Sequence, residues 1–503
     1  MQKIIKRHSK RIFYLVLLII VTLATQKTVA NAGSGIDNVA GSPVNVRDFG
    51  ASGDGIADDT EAIRAAVAGS AHGMVVFPGG TYRITSTIHV DLSENGLLGI
   101  SGYGGTARIM MEGPGPAFRI TGSHHGTASP ASVTGQVWEK ERMPVVQALE
   151  ITGKHPEAAG LEIKYTHMAI INSVLIRNVH HGIHLRSRNR NVIITDSHIY
   201  NCNGVGIYLD SVNLHQIIIS NSHISYNLLG GIKVTNSEIR NIQITGNDIE
   251  YNCAPRGSAE EVESADIWFD CSMGGSIREG TITSNTIQAL PTHGGANIRF
   301  TGYGDSNEKI GLLSITGNHI SSQMINIHLD NTHGISITGN TFIRGYEHNV
   351  IMENSRNIVL GTNVFDHNRD YATGRAEYAP GGITISNCDN IIMTDNIIDG
   401  VDNDPGGVIT INESRNVSLR GNHISNPKHT GVQINSSKNI LVSGCRIYET
   451  SPDPVMMNSI ELNGDCEGTV LRHNIIMSGK KGDIINNAAG MVLIDGNITS
   501  KRN

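Results

Sequence analysis

The chain has 503 residues, with 39 Lys and Arg against 46 Asp and Glu, a formal net charge of −7. It offers no basic field that would argue for nucleic acid as a partner. With 57 Gly, 5% aromatic and 17% charged residues, and much Asn and Ile, it is neither a helical protein nor a disordered one.

At the N-terminus, Lys3, Lys6, Arg7, Lys10 and Arg11 precede the apolar run Ile12–Ala24, and Ala30-Asn31-Ala32 forms an A-x-A cleavage site before Gly33. The run is too short to span a bilayer as a helix, so residues 1–32 read as a secretory signal peptide, with an uncleaved anchor as the alternative. No second long apolar run follows, so the mature chain is expected to be soluble and either periplasmic or secreted. The 6 Cys are too few for a disulfide-framed fold, and none forms Cys-x-x-Cys; Cys253 and Cys271 read as separate buried thiols, a bridge between them being the alternative.

The stretch Val46–Ile63 is rich in Asp and Gly but lacks the alternate carboxylates of a Ca²⁺ loop and the Lys-Ser or Lys-Thr of a phosphate loop. Asp58 and Glu61 have capping-box spacing, and Ala62, Ile63, Ala66 and Val67 form an apolar stripe ending near Gly69. The spacing predicts a short helix over 59–68 that lids an otherwise open hydrophobic end.

From Thr195 onward a short phrase recurs: TDSHI at 195, SNSHI at 220, TGNDI at 245, TSNTI at 283, TGNHI at 316, TGNTF at 338, TDNII at 394, RGNHI at 420, SGCRI at 443, RHNII at 472 and DGNIT at 495. Each unit also carries an apolar alternation such as GIHLRS, GIYLDS or NIHLDN, in which one side chain in two faces inward. Short strands at such a period, without leucine-rich-repeat spacing, predict a single-stranded parallel β-helix of about thirteen coils. The recurring Asn247, Asn285, Asn318, Asn340, Asn396, Asn422, Asn474 and Asn497 are expected in turns, where Asn tolerates the left-handed conformation and its amide bonds up the stack. His198, His223, His319 and His423 precede the repeated Ile and are expected on one outer face.

VRDFGASGDGIADDTEAIRAAV at 46–67, followed by VVFPGGTYRIT at 75–85, resembles the N-terminal signature of the pectate-lyase-like right-handed β-helix superfamily, which includes rhamnogalacturonases, polygalacturonases, pectate lyases, uronan epimerases and phage tailspikes. The resemblance implies a cap and first coils over 44–145, repeats over 146–499, and an exported protein acting on polysaccharide. It names no reaction. Asn-Thr-Asp, Gly-His-Gly and Arg-Ile-Lys of the polygalacturonases are missing, as are Asp-Pro-His-Asp of alginate epimerases and Arg-x-Pro-x-x-Arg of the main pectate lyases.

Aligning the coils on their first strand turns Ile183, Leu185, Ile207, Leu209, Ile232, Val234, Ile267, Phe269, Ile298, Phe300, Ile327 and Leu329 inward. One outward column then reads Glu162, His184, Tyr208, Lys233, Trp268, Arg299, His328, Ile351, Thr384, Thr410, Gln433. Its neighbour reads Lys164, Arg186, Asp210, Thr235, Asp270, Thr301, Asp330, Glu353, Ser386, Asn412, Asn435. From coil 182 to coil 349 the columns hold ionisable and aromatic side chains, with Thr235, Thr301 and Ile351 between them, and from Thr384 they turn to small neutral ones. Trp268 is expected exposed, as a face for sugar, with insertions at 253–264, 289–295, 302–309 and 366–382 walling a groove.

Two enzymatic readings follow. In β-elimination on a uronate, Lys233 and Arg299 neutralise the C5 carboxylate while His184, Tyr208, His328 or Lys233 takes the C5 proton. Alternatively the acids hold Ca²⁺ for the neutralisation, although no cofactor is certain. In hydrolysis, Asp330 and Glu353 lie one rung apart, near the ~5 Å of a retaining pair, and Asp270 and Asp330 lie two rungs apart, near the upper inverting range of ~6.5–9.5 Å. The mixture of Lys, Arg, His and Tyr tilts the reading towards an anionic polysaccharide and elimination; Arg186 and Asp210 join His184, Tyr208 and Trp268 as substrate-binding candidates. A non-catalytic carbohydrate-binding or adhesin β-helix is the reading from another class, and the oligomeric state is open.

Overall fold

In the computed structural model, residues 42–254, 262–304, 309–367, 381–401 and 406–500 are described; the expected signal peptide lies outside them. The described elements belong to the unit Pro43–Asn503, a right-handed parallel β-helix. Each coil has three faces, as in Gly230–Thr235, Glu238–Thr245 and Asp248–Glu250. Every strand pairs in parallel with the equivalent strand one coil away. Among the described residues the third face stacks seventeen strands. Four precede the repeat, and the thirteen from Leu175–Arg177 to Ile498–Ser500 belong to it.

Alternation drives the core. The inward residues expected from the sequence are all fully buried, Ile183, Leu209, Ile267 and Phe300 among them. Phe269 and Phe300 stack at 4.6 Å between centroids, as do Phe342 and Phe365 at 4.4 Å. All six cysteines are free and buried, so Cys253 and Cys271 are unbridged; burial pushes the Cys271 thiol up to about 12.

The recurring Asn side chains point inward and join the coils. Asn247 donates both its backbone N–H and its side-chain Nδ2 to Asn285 Oδ1 (3.0 Å each). Asn285 does the same to Asn318, and Asn318 to Asn340. Each Nδ2 also reaches a main-chain carbonyl, such as Ile282 O for Asn318 (3.0 Å). The ladder runs on through Asn363 and Asn396 to Asn422. Cys445 then takes one rung before Asn474 and Asn497. One expectation is corrected: the left-handed residue is not Asn but the one before it, for instance Gly246, Ser284, Gly317 or Gly339 with φ between +57° and +67°. The backbone turns at that residue, which frees the following Asn to aim its amide inside. On the third face His198 pairs with His223, and their rings stack at 5.0 Å on the outer surface.

The lid helix, α1 (Thr60–Ala68), buries Ile63, Ala66 and Val67. Its start differs from a capping box. Asp58 Oδ1 accepts from Thr60 N–H (3.1 Å), while Glu61 pairs with Arg64 at 2.5 Å instead of reaching back. Asp59 turns away to accept from Ser52 and Gly53 N–H, so the acids shape the loop.

Asn318→Ala removes two donors and an acceptor from the interior and orphans those of Asn285. The expected loss is about 2–4 kcal/mol, against less than about 0.5 for the exposed Asn487→Ala, read from urea midpoints.

Candidate functional site

The strand register sets both outward columns of the first face in the expected order. Glu162, His184, Tyr208, Lys233, Trp268, Arg299, His328 and Ile351 stand on successive rungs. Beside them run Lys164, Arg186, Asp210, Thr235, Asp270, Thr301, Asp330 and Glu353. Neighbouring rungs are ~4.8 Å apart, so Asp330 and Glu353 are adjacent while Thr301 separates Asp270 from Asp330.

The columns fall into two chemical regimes. Beyond Glu353 the second becomes an amide ladder. Asn412 donates to Ser386, Asn435 to Asn412, Asn463 to Asn435 and Asn487 to Asn463. Those polar groups satisfy one another and are structural. Among the described residues no such ladder of amides joins the second column up to Glu353.

Trp268 is not exposed. It is 7% accessible and packs with Ala265, Ala296 and Ile325, and Lys233 Nζ sits 3.5 Å from its ring centroid. Arg299 is equally covered, at 5%. Glu263, at the end of one insertion, pairs with Arg299 Nη1 (3.2 Å), and Gly294 O, at the end of another, accepts from Nη2 (2.8 Å). These loop ends fold onto the column at Trp268 and Arg299, which removes the indole as an open sugar platform. Most of the other insertions lies outside the described residues.

Next to this covered patch, Arg299 Nη1 lies 3.3 Å from His328 Nδ1, and His328 Nε2 lies 3.1 Å from Glu353 Oε2. A guanidinium only donates, so Nδ1 accepts and the Nε2 proton points to Glu353. Asp330 accepts from Asn354 (2.8 Å), and Asp270 from Ser272 N–H and Oγ–H (2.9 and 2.6 Å). Lys233 is held below the usual lysine range, first by burial and against the pull of Asp270 and Glu263.

At the other end, the rings of His184 and Tyr208 stack at 5.0 Å, with His184 Nε2 3.4 Å and Arg186 Nε 3.6 Å from Asp210. Burial raises the Tyr208 hydroxyl and lowers His184. His181, missed in the sequence, packs 4.9 Å from Tyr208 and accepts from Val205 N–H.

A further column lies around the corner, at the start of the second face. His167, Arg190, His215, Arg240 and Arg278 follow one another rung by rung. After Gly311 the column continues with His333, Arg356, Asp389 and Arg415, which bridges to Lys438. Arg188 Nε and Nη2 and Arg278 Nε are buried without a partner among the described residues. Between this column and Asp330–Glu353 opens a polar groove of about 440 Å³, lined by Asn331, Asn354, Arg356, Asn387, Asp389 and Arg415. Continuing the alignment past the turn after the first strand would have exposed this row.

Three family models match successive parts of the chain: rhamnogalacturonase A/epimerase, pectate lyase-like, over 43–112; right-handed beta helix region over 134–270; and periplasmic copper-binding protein (NosD) over 278–463. No curated protein matches in sequence. Similar solved structures include the Dettilon tailspike protein, 18% identical over 82% of this chain and 69% of that one, TM-score 0.49. The A-module of Azotobacter vinelandii mannuronan C-5 epimerase AlgE6 is 14% identical over 92% and 100%, TM-score 0.37. The Streptococcus pneumoniae surface adhesin PfbA is 14% identical over 82% and 93%, TM-score 0.37.

His181 yields a pH prediction. Burial, then His180 and His184, pushes it from 6.5 down to about 3. The unfolded chain therefore binds the extra proton between those values, and stability falls as pH drops through that window. His181→Asn is expected to flatten that part of the curve in urea midpoints taken from pH 7 to pH 4; an unchanged slope contradicts it.

Proposed function

We propose that this chain, which belongs to the pectate-lyase-like right-handed parallel β-helix superfamily, is an exported enzyme that cleaves an anionic, uronate-containing polysaccharide by β-elimination. The observation that carries the reading is the set of arginines, Arg190, Arg240, Arg278, Arg356 and Arg415, in the column just around the corner from the first-face columns, interrupted by Asp389, which pairs with Arg415 (3.1 Å), in a chain whose net charge is −7. Cations in line at rung spacing suit a polymer with carboxylates in series. No helix among the described residues is long and apolar enough to cross a membrane.

In this reading the substrate carboxylate displaces Glu263 and Gly294 O from the covered Arg299, so that Lys233 and Arg299 meet it and stabilise the charge that builds there as the C5 proton leaves. Arg299 turns from His328 towards that carboxylate, which releases the lone pair on Nδ1 to take the proton. Glu353 holds the opposite nitrogen, fixing the tautomer and stabilising the imidazolium that forms, while the C5 electron pair forms the C4=C5 double bond and expels the C4 glycosidic oxygen, which takes a proton from solvent. His184, Tyr208, Arg186 and Asp210 bind the sugars further along the groove. Asp330 and Glu353 on adjacent rungs favour a second reading, hydrolysis by paired carboxylates.

The two are separated by following absorbance at 235 nm and new reducing ends together on a panel of uronate and neutral polysaccharides, with and without Ca²⁺. Elimination gives both signals, and His328→Ala lowers kcat by roughly 10²–10⁴; reducing ends without absorbance overturn it in favour of hydrolysis. Silence in both assays with binding retained points to a non-catalytic module. Arg356→Ser with Arg415→Ser is expected to raise KM several-fold while kcat changes little, because those residues act on binding alone.

A further inference from the structure

On the third face the strands Val364–Asp366 and Ile397–Asp399 pair at Phe365 and Ile398. Asp366 and Asp399 therefore leave the stack on neighbouring rungs, two like charges about 4.8 Å apart along its axis. His367 follows Asp366, and its side chain is only 6% exposed. Neither of its ring nitrogens has a hydrogen-bond partner among the described residues. A buried imidazole with both nitrogens unsatisfied is costly unless a further group completes it.

The surroundings hold these groups together. Gly400 has φ +64°, and a Cβ there would lie 2.8 Å from His367 Cε1, so glycine both makes the turn and leaves the imidazole its room. Asp399 Oδ1 accepts from Ser425 Oγ (2.5 Å) and Asn426 Nδ2 (2.8 Å). Those contacts orient the carboxylate in the way that supporting hydrogen bonds orient metal ligands. His367 Nδ1 lies 3.6 Å from Asp366 Oδ1, and one ligand atom from each of the three residues falls within 4.8 Å of the others. Ligands at ~2.1 Å from a tetrahedral ion are about 3.4 Å from one another, so small side-chain rotations close the set.

We infer that Asp366, His367 and Asp399 form a binding site for one divalent first-row transition ion of the Zn²⁺ class. One imidazole nitrogen with two carboxylates suits such borderline ions. Ca²⁺ requires six to eight oxygens and gains nothing from the imidazole. Bound there, the cation neutralises the two stacked aspartates and satisfies one buried nitrogen. The site lies on the third face, away from the first-face columns, and is independent of the elimination reading.

The test is calorimetric titration of the EDTA-stripped full chain with Zn²⁺, alongside thermal unfolding and the visible spectrum with Co²⁺. The expected result is a Zn²⁺ equivalent that raises Tm, together with a Co²⁺ ligand-field band; both are lost in Asp399→Asn and His367→Ala. Asp366→Asn, which alters an exposed side chain, keeps the test valid if the buried variants do not fold, and is expected to weaken binding at least tenfold. Zn²⁺ bound equally by wild type and Asp366→Asn, no Zn²⁺ bound at all, or Ca²⁺ bound more tightly than Zn²⁺ would each overturn the proposal.

Discussion

Everything in this molecule depends on parallel pairing between coils and on the way the buried amides enforce its register. From Asn247 to Asn396 each ladder Asn gives two hydrogen bonds forward to the next Asn and a third to a main-chain carbonyl, as Asn285 does. A slip by one residue would turn the apolar set outward and orphan every amide in the interior. Because the register is held this tightly, a residue's place in its coil becomes a line on the surface. A functional site on such a scaffold is therefore a set of columns, and its chemistry is written wherever a column departs from repetition.

That departure is visible here. Beyond Glu353 the outer column closes on itself through Asn412, Asn435 and Asn463 and needs nothing from outside. Before it the same column carries Asp210, Asp270, Asp330 and Glu353, the last joined to His328 and Arg299 of the neighbouring column, groups that a solvated β surface does not require. The arginines of the column around the corner, Arg190, Arg240, Arg278, Arg356 and Arg415, add positive charge on a chain of negative net charge, and a surface that carries them favours an anionic polymer.

Period-two alternation made the first face legible from sequence, down to which residue stands on which. The misreadings have physical causes. Trp268 looked exposed because alternation gives direction and not cover; two loop ends meeting at Arg299 close over it. The left-handed corner fell on Gly246 or Ser284 and not on the Asn beside it, because Asn serves the interior. His167, Arg190, His215, Arg240 and Arg278 were missed because a turn separates them from the aligned strand, although they keep the same rung. Asp366, His367 and Asp399 come from coils 33 residues apart, and no local motif joins them; only the pairing of Phe365 with Ile398 does.

The most direct measurement is a crystal structure of the His328→Ala variant with an unsaturated-product-free oligouronate. The expected density runs along the first face, with a carboxylate against Lys233 and Arg299 and others facing Arg356 and Arg415. An oligosaccharide seated on another face, or one whose carboxylates point to solvent there, would contradict the assignment of this groove to an anionic polysaccharide.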